Sequence, residues 1–209
     1  MLLIAENWID YELIDAGDNE KIERWGKYIL RRPDPQAIWP RQDVSYWNRY
    51  DGFYERHNTG GGMWKVSNFP KEWVIRYKNL KFYIRPTGFK HTGLFPEQAV
   101  NWDFMIDKIK NASRNIKVLN LFAYTGGATV ACSYAKAEVC HVDSAKGVVS
   151  WAKDNVKLSN LEDRKIRFIV DDVIKFVERE IRRNNEYDAI IMDPPVYGRG
   201  TNQEVWKIE

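Results

Sequence analysis

From Ile116 onward the chain alternates short apolar runs with helix-length segments, and that alternation restricts its fold more than any other feature. Ile116–Phe122, Glu138–Val142, Ile166–Val170 and Tyr187–Met192 read as strands, with Gly127–Ala135, Ala145–Leu158 and Val173–Arg183 as helices between them. Near-continuous apolar strands joined by single helices specify an α/β fold: an open, doubly wound, mostly parallel sheet with right-handed crossovers. Ligands of such sheets lie beyond the carboxyl ends of the strands, at the topological switch point.

Pro96 suits a first helical position, and Ala99, Val100, Trp102, Phe104, Met105, Ile106 and Ile109 continue a helix of about 15 residues. Before it the pattern is different. Tyr11–Asp15, Trp25–Arg31, Gly52–His57, Met63–Ser67, Trp73–Tyr77 and Lys81–Arg85 read as short β segments separated by turn signals, with no helical period. Asn58-Thr59-Gly60-Gly61-Gly62 supplies the left-handed positions of a loop. Seven of the nine Trp lie at or before residue 102. The expectation is a smaller antiparallel β domain over residues 1–95 and the α/β domain over 96–209. Thr201–Glu209 has room for a helix turn or two, and a sheet of this kind usually has more than four strands. A C-terminally truncated domain is therefore expected.

Charge does not name a partner. Lys plus Arg is 32 and Asp plus Glu is 29, a net of +3, well short of a protein that relies on bulk charge to hold nucleic acid. No apolar run reaches the roughly 20 residues of a membrane span, and Met1–Ala5 lacks the basic flank of a signal peptide. The two cysteines, Cys132 and Cys140, fit a reducing compartment and have no zinc spacing, so a cytoplasmic protein without a metal site is expected.

The chemistry concentrates at the strand ends. Ala123-Tyr124-Thr125-Gly126-Gly127 follows the first strand; adjacent glycines let a ligand approach the backbone, and the helix N-terminus offers free N–H groups to an anion. It is not G-x-G-x-x-G, so the dinucleotide fingerprint fails. The second strand ends at Asp143, placed to accept two hydrogen bonds from a ribose diol or, alternatively, to cap the following helix. The third ends in Asp171-Asp172, where one carboxylate suits an adenine amine and capping is again the rival. The fourth ends Asp193-Pro194-Pro195-Val196-Tyr197, where two prolines remove backbone donors and stiffen the loop.

Carried by these four motifs, residues 96–198 resemble a class I S-adenosylmethionine-dependent methyltransferase with its Rossmann-like sheet. Asn120–Gly127, Asp171-Asp172-Val173 and Asp193-Pro194-Pro195 are similar to the large-subunit rRNA methyltransferases that make 5-methylcytosine or 7-methylguanine. His91–Gln98 is similar to the segment those enzymes place before the catalytic domain, and Trp25–Trp39, with Arg32-Pro33-Asp34-Pro35-Gln36-Ala37, looks like a bacterial branch of the group. The resemblance implies S-adenosyl-L-methionine as cofactor and RNA as partner. It assigns Phe122, Tyr124 and Gly126 to the methionine end, Asp143 to the ribose, Asp171 or Asp172 to the adenine, and Gln98 to the cofactor from its own helix. Asn120, Thr125, Ser144 and Asp193 complete that set. Many members carry Asp or Glu where this chain has Asn120.

Asp193, Pro194, Pro195 and Tyr197 are the implied catalytic residues, forming a floor under the target base. Cytosine C5 needs a thiolate to add at C6 first, and neither cysteine lies at the strand-end face, so carbon chemistry would draw its cysteine from beyond Glu209. Guanine N7 or an exocyclic amine needs none. Trp and Tyr interleaved with cations such as Arg31, Arg49, Arg56 and Arg76 suit RNA bases and phosphates. The alternatives are N-methylation of a nucleobase and a non-catalytic nucleotide- or RNA-binding module.

Overall fold

The computed structural model describes residues 4–57, 61–88, 90–195, 197–199 and 205–207. These divide into two compact units, one from Ala5 to Pro96 and one from Glu97 onward together with Ile4.

The first unit holds seven strands: β1 (Tyr11–Gly17), β2 (Glu20–Trp25), β3 (Tyr28–Pro33), β4 (Gly52–Arg56), β5 (Gly62–Ser67), β6 (Trp73–Tyr77) and β7 (Leu80–Ile84). The first five form one sheet in chain order, and β6 and β7 form a hairpin. All pairs are antiparallel except β3 with β4, which runs parallel. The strand read as Trp25–Arg31 needs correction. Gly26, at φ +66°, breaks it, and the residues before it form β2, joined to β1 by a two-residue turn with Asp18 and Asn19 both left-handed. The sequence of β2, Glu-Lys-Ile-Glu-Arg-Trp, hides a strand because a buried position carries a charge. Glu23 is buried and its Oε2 accepts from Arg32 at 2.8 and 2.6 Å, so the pair enters the core together. Of the glycine loop, residues 58–60 lie outside the described residues; Gly61 is left-handed at φ +71°.

The second unit opens with a 3₁₀ turn (Pro96–Gln98) and α1 (Ala99–Lys110). Then follow β8 (Lys117–Leu121), α2 (Gly127–Tyr134), β9 (Glu138–Asp143), α3 (Lys146–Leu158), β10 (Ile166–Val170), α4 (Val173–Arg182) and β11 (Ala189–Met192). The four strands are parallel in the order β10-β9-β8-β11. The alternation of the sequence predicts this doubly wound sheet. The chain winds outward from β8 through β9 to β10 and returns to the other side of β8, which puts the switch point between β8 and β11. Alternate residues face opposite layers: Val118 and Val139 pack with Cys132 and Met105, while Leu119, Leu121, Cys140 and Val142 pack with Val173 and Phe176.

Two segments depart from expectation. The last strand begins at Ala189, opposite Val118; just before it Tyr187 Oη donates to Glu180 (2.5 Å), and Asp188 is tied to Lys117 both ways, its side chain accepting from the Lys117 amide (2.7 Å) and its own amide donating to Lys117 O (2.8 Å). Val205–Lys207 is not helical but a strand, β13, paired antiparallel with β12 (Tyr197–Arg199), so its backbone partners lie on another strand. Among the described residues no helix is long and apolar enough to cross a membrane, and no group of three or more His, Cys, Asp or Glu is placed to hold a metal ion.

Candidate active site

The loop leaving β8 is strained. Phe122 (φ +51°), Tyr124 (φ +49°) and Gly126 (φ +83°) are left-handed at every second position. For a residue with a β-carbon this costs about 1–2 kcal/mol, and such outliers persist where the surroundings over-determine them. Here they do. The Ala123 amide donates to Val142 O (3.0 Å), the Tyr124 amide to Asp143 Oδ2 (2.9 Å), and the Gly126 amide to Ala123 O (3.0 Å). From α3, the fully buried Asn155 donates its Nδ2 to Thr125 O at 2.8 Å. Gly126 is required for space as well as for φ, since a β-carbon there would sit 2.9 Å from Ala152 Cβ. It is also the N-cap of α2 and offers no side chain to the first-turn N–H groups, which face the strand-end pole.

Asp143, half-buried at the end of β9, ties the pole together. Its Oδ2 holds the Tyr124 amide and its Oδ1 the Ala145 amide (2.9 Å). Burial raises its pKa; hydrogen bonds from the amides of Ala145, Tyr124 and Ser144 oppose that only in part. It does not occupy the N-cap of α3, which is Ala145. The main chain continues to the next strand end, where the Asp171 amide donates to Asp143 O at 3.1 Å. Asp171 is ion-paired with Arg179. Asp172 is the N-cap of α4, its Oδ1 accepting from the Lys175 amide at 3.0 Å.

At the end of β11, Asp193 is exposed, and Gln98 Nε2 donates to its Oδ2 at 3.5 Å, the outer limit of such a bond. Gln98 is held by Asn101 Nδ2, 2.8 Å from its Oε1. Pro194 and Pro195 follow. Val196 lies outside the described residues, as does the side chain of Tyr197, whose backbone belongs to β12.

The structure therefore brings Phe122, Tyr124, Thr125, Gly126, Asp143 and Ser144 to one pole with Asp171 and Asp172, and bonds Gln98 to Asp193. Asn120 lies deeper. It is 3% exposed and donates to Thr129 Oγ1 (2.9 Å), which in turn bonds His141 Nδ1 (2.9 Å). Burial holds His141 down at about 4, so this triad is neutral. Burial also raises both thiols, Cys132 to about 12, and neither is a thiolate near neutral pH. Asn155 escaped the sequence reading. Its one signal is a polar residue in the apolar stripe Val149, Ala152, Val156 of α3.

The pole supplies a close-approach backbone, a desolvated acceptor and a helix N-terminus, the chemistry that a nucleoside carrying an amino-acid moiety requires. A family model for S-adenosylmethionine-dependent methyltransferases matches residues 51–205. A crystal structure of a SAM-dependent methyltransferase from Agrobacterium tumefaciens is 40% identical with a TM-score of 0.91, over 96% of this chain and 64% of that one. The ribosomal RNA large subunit methyltransferase K/L of Shewanella frigidimarina is 30% identical over 157 residues, 74% of this chain and 21% of that protein. A protein solved in complex with S-adenosylhomocysteine shares the fold at 21% identity, with a TM-score of 0.73 over 97% of this chain and 55% of that one. This chain spans about a fifth of the length of the curated relatives it matches.

Proposed function

The chain belongs to the S-adenosylmethionine-dependent methyltransferase family, and from that premise we propose that it holds this cofactor at the carboxyl ends of β8–β11 and directs methyl transfer to a base of RNA, in large-subunit rRNA, in the cytoplasm. The observation that carries the reading is Asp143: a carboxylate whose pKa burial raises despite three amide donors, at the strand-end pole beside a left-handed loop that the same carboxylate helps to hold. The diol of a ribose would add hydroxyl donors to the amides that already reach it.

Bound S-adenosylmethionine supplies an electrophilic methyl group. The chain's own residues do the rest. Phe122 and Tyr124 border the sulfonium, where a desolvated cation over a ring gains roughly 0.5–2 kcal/mol. Asp171 or Asp172 meets the adenine amine; Asp172 is committed to its cap and Asp171 to Arg179, so Asp171 can turn only by giving up an ion pair. Asn155 is a positioning residue that fixes the Thr125 carbonyl. Asp193, held by Gln98, accepts a proton or hydrogen bond from the target base, with Pro194, Pro195 and Tyr197 as its floor. Relatives named as rRNA methyltransferases support RNA as the substrate, and the aromatic and basic unit before residue 95 positions it.

The state of the cysteines bears on the target atom. Carbon methylation of cytosine needs a thiolate that Cys132 and Cys140 do not provide. The described residues favour a nitrogen target, guanine N7 or an exocyclic amine; a 5-methylcytosine product would require a cysteine from another segment. A non-catalytic nucleotide-binding role is the remaining alternative. Transfer of labelled methyl from S-adenosylmethionine to rRNA, with nucleoside analysis of the product, tests the reading. Cofactor binding without transfer to any RNA would reduce the chain to a binding module.

A further inference from the structure

At the amino ends of β8–β10, the pole opposite the candidate active site, two cavities adjoin. One, of about 400 Å³, is lined by Lys110, Arg114 and Lys136 with Asn115 and Tyr134, and by no carboxylate. The other, of about 540 Å³, adds Lys117, Lys165 and Arg167 against Glu138 and Glu186. Asn115 joins them: it lines the first, and its Nδ2 donates to Glu138 Oε1 at 2.6 Å in the second.

Two details mark the cations of the first cavity. Lys136 follows Ala135, the C-cap of α2, in a Schellman motif, in which the Ala137 amide donates to Cys132 O (3.1 Å) and the Lys136 amide to Ser133 O (3.0 Å). Its φ is +73°, a conformation that suits glycine. The helices α3 and α4 end at the same pole with Asn160 (φ +56°) and Asn184 (φ +51°), a residue type that tolerates it. A lysine there is strained, and its ammonium is what the position gains. Lys110 Nζ sits 4.7 Å from the centroid of the Tyr134 ring, which orients the charge without neutralising it. Lys110 and Lys136 have no ion pair among the described residues, and Arg114 pairs with Asp188 (2.5 Å), which is not part of the lining.

We propose that this cavity binds phosphate groups of the RNA backbone, a contact independent of sequence and remote from the reacting base. The inference rests on RNA being the substrate. A five-residue strand such as β8 is about 17 Å long, so phosphates at the amino ends are roughly that far from the strand ends where methyl transfer is placed. They belong to nucleotides flanking the target, and losing them raises the KM for RNA while leaving kcat in place. The rival role for Lys110 and Lys136 is to complement the negative ends of α1 and α2. That role affects melting and not RNA affinity.

The test measures binding of a single-stranded RNA to the full chain at several salt concentrations. Three proteins are compared: the wild type, the variant Lys110→Gln/Arg114→Gln/Lys136→Gln, and a control of equal charge, Lys153→Gln/Lys157→Gln/Lys175→Gln. Each phosphate contact on a single strand contributes about 0.7 to the slope of log affinity against log salt, so the cavity variant should lose about 2 from that slope. It should also bind roughly a hundredfold more weakly at 0.1 M salt and keep its affinity for S-adenosylhomocysteine, while the control stays near wild type. The double variant Lys110→Gln/Lys136→Gln, which spares the Asp188 pair, should show about two-thirds of the slope change. Equal losses in the control would overturn the proposal in favour of bulk charge. An unchanged slope, with inorganic phosphate still bound calorimetrically, would overturn it in favour of a small-anion site. A wild type without RNA affinity would overturn the RNA reading itself; normal wild-type binding with an unaffected cavity variant would overturn this inference alone.

Discussion

Two carboxylates stand at opposite poles of the same sheet, Glu180 buried and Asp143 half-buried, and burial has opposite outcomes for them. At the amino pole Glu180, 3% exposed, would be pushed up by burial, but Tyr187, Arg167 and Asn185 donate to it and the Arg167 charge adds to them, so its pKa falls to about 2. At the carboxyl pole burial prevails over the amides around Asp143, whose pKa rises. The left-handed residues divide in the same way. Lys136, Asn160 and Asn184 close helices at the amino pole, whereas Phe122 and Tyr124 close nothing. A saturated carboxylate holds structure. One whose pKa burial still raises, beside a left-handed loop that ends no helix, is where a ligand gains most.

The largest effect expected from this contrast is at Glu180. Its folded pKa lies below the ordinary value of 4.5, so its stabilisation is complete above about pH 4.5 and disappears as pH falls toward 2. Glu180→Gln should cost about 3 kcal/mol at neutral pH, with the gap to wild type closing on acidification. Denaturant melts between pH 7 and 2 measure it, and a pH-independent gap would mean that packing, not charge, is what Glu180 supplies. At the other pole, Asp193→Ala should lower turnover about a hundredfold with cofactor affinity nearly intact, the scale of a positioned acid–base group. Single-turnover methylation at saturating cofactor reads this out; wild-type turnover would leave the Asp-Pro-Pro segment as a structural stop.

Asn155→Ala strips the Thr125 carbonyl of its buried partner and should cost about 1–3 kcal/mol of stability. It should also weaken S-adenosylhomocysteine binding in the folded fraction, which calorimetry well below the melting temperature would detect. Affinity unchanged beside lowered stability would confine Asn155 to the core. The smallest effect runs the other way. Lys136→Gly relieves a left-handed lysine and should raise stability by about 1 kcal/mol, visible as a higher Tm; a lower Tm would mean that its side chain stabilises the end of α2 by more than the strain costs.

The same contrast explains what was legible in the sequence. The parallel sheet and its order of helices were legible because apolar runs such as Ile166–Val170, alternating with helix-length segments, leave few alternatives, and the strand ends were legible as the places where glycines and carboxylates follow those runs. Strand β2 was not, since Glu23 enters the core only with Arg32, which lies nine residues away and on another strand. Val205–Lys207 was not, because it is a strand only through pairing with Tyr197–Arg199, a partner that local periodicity does not show. Phe122 and Tyr124 have no residue-type signature of their left-handed backbone, which tertiary bonds from Asp143 and Asn155 impose. Asn155 itself reads as an ordinary polar interruption of an amphipathic helix.

The central claim is that Asp143 receives the ribose of S-adenosylmethionine. Calorimetric titration of wild type and Asp143→Ala with S-adenosylhomocysteine tests it most directly. A hydrogen-bonded charged group is worth about 1.5–3 kcal/mol, so the variant should bind roughly 10- to 150-fold more weakly. Wild-type affinity should also fall as pH is lowered through the raised pKa of Asp143, a loss the variant should not share. Equal affinity in a folded Asp143→Ala protein, at every pH, would contradict the account and leave Asp143 as a brace for the Tyr124 and Ala145 amides.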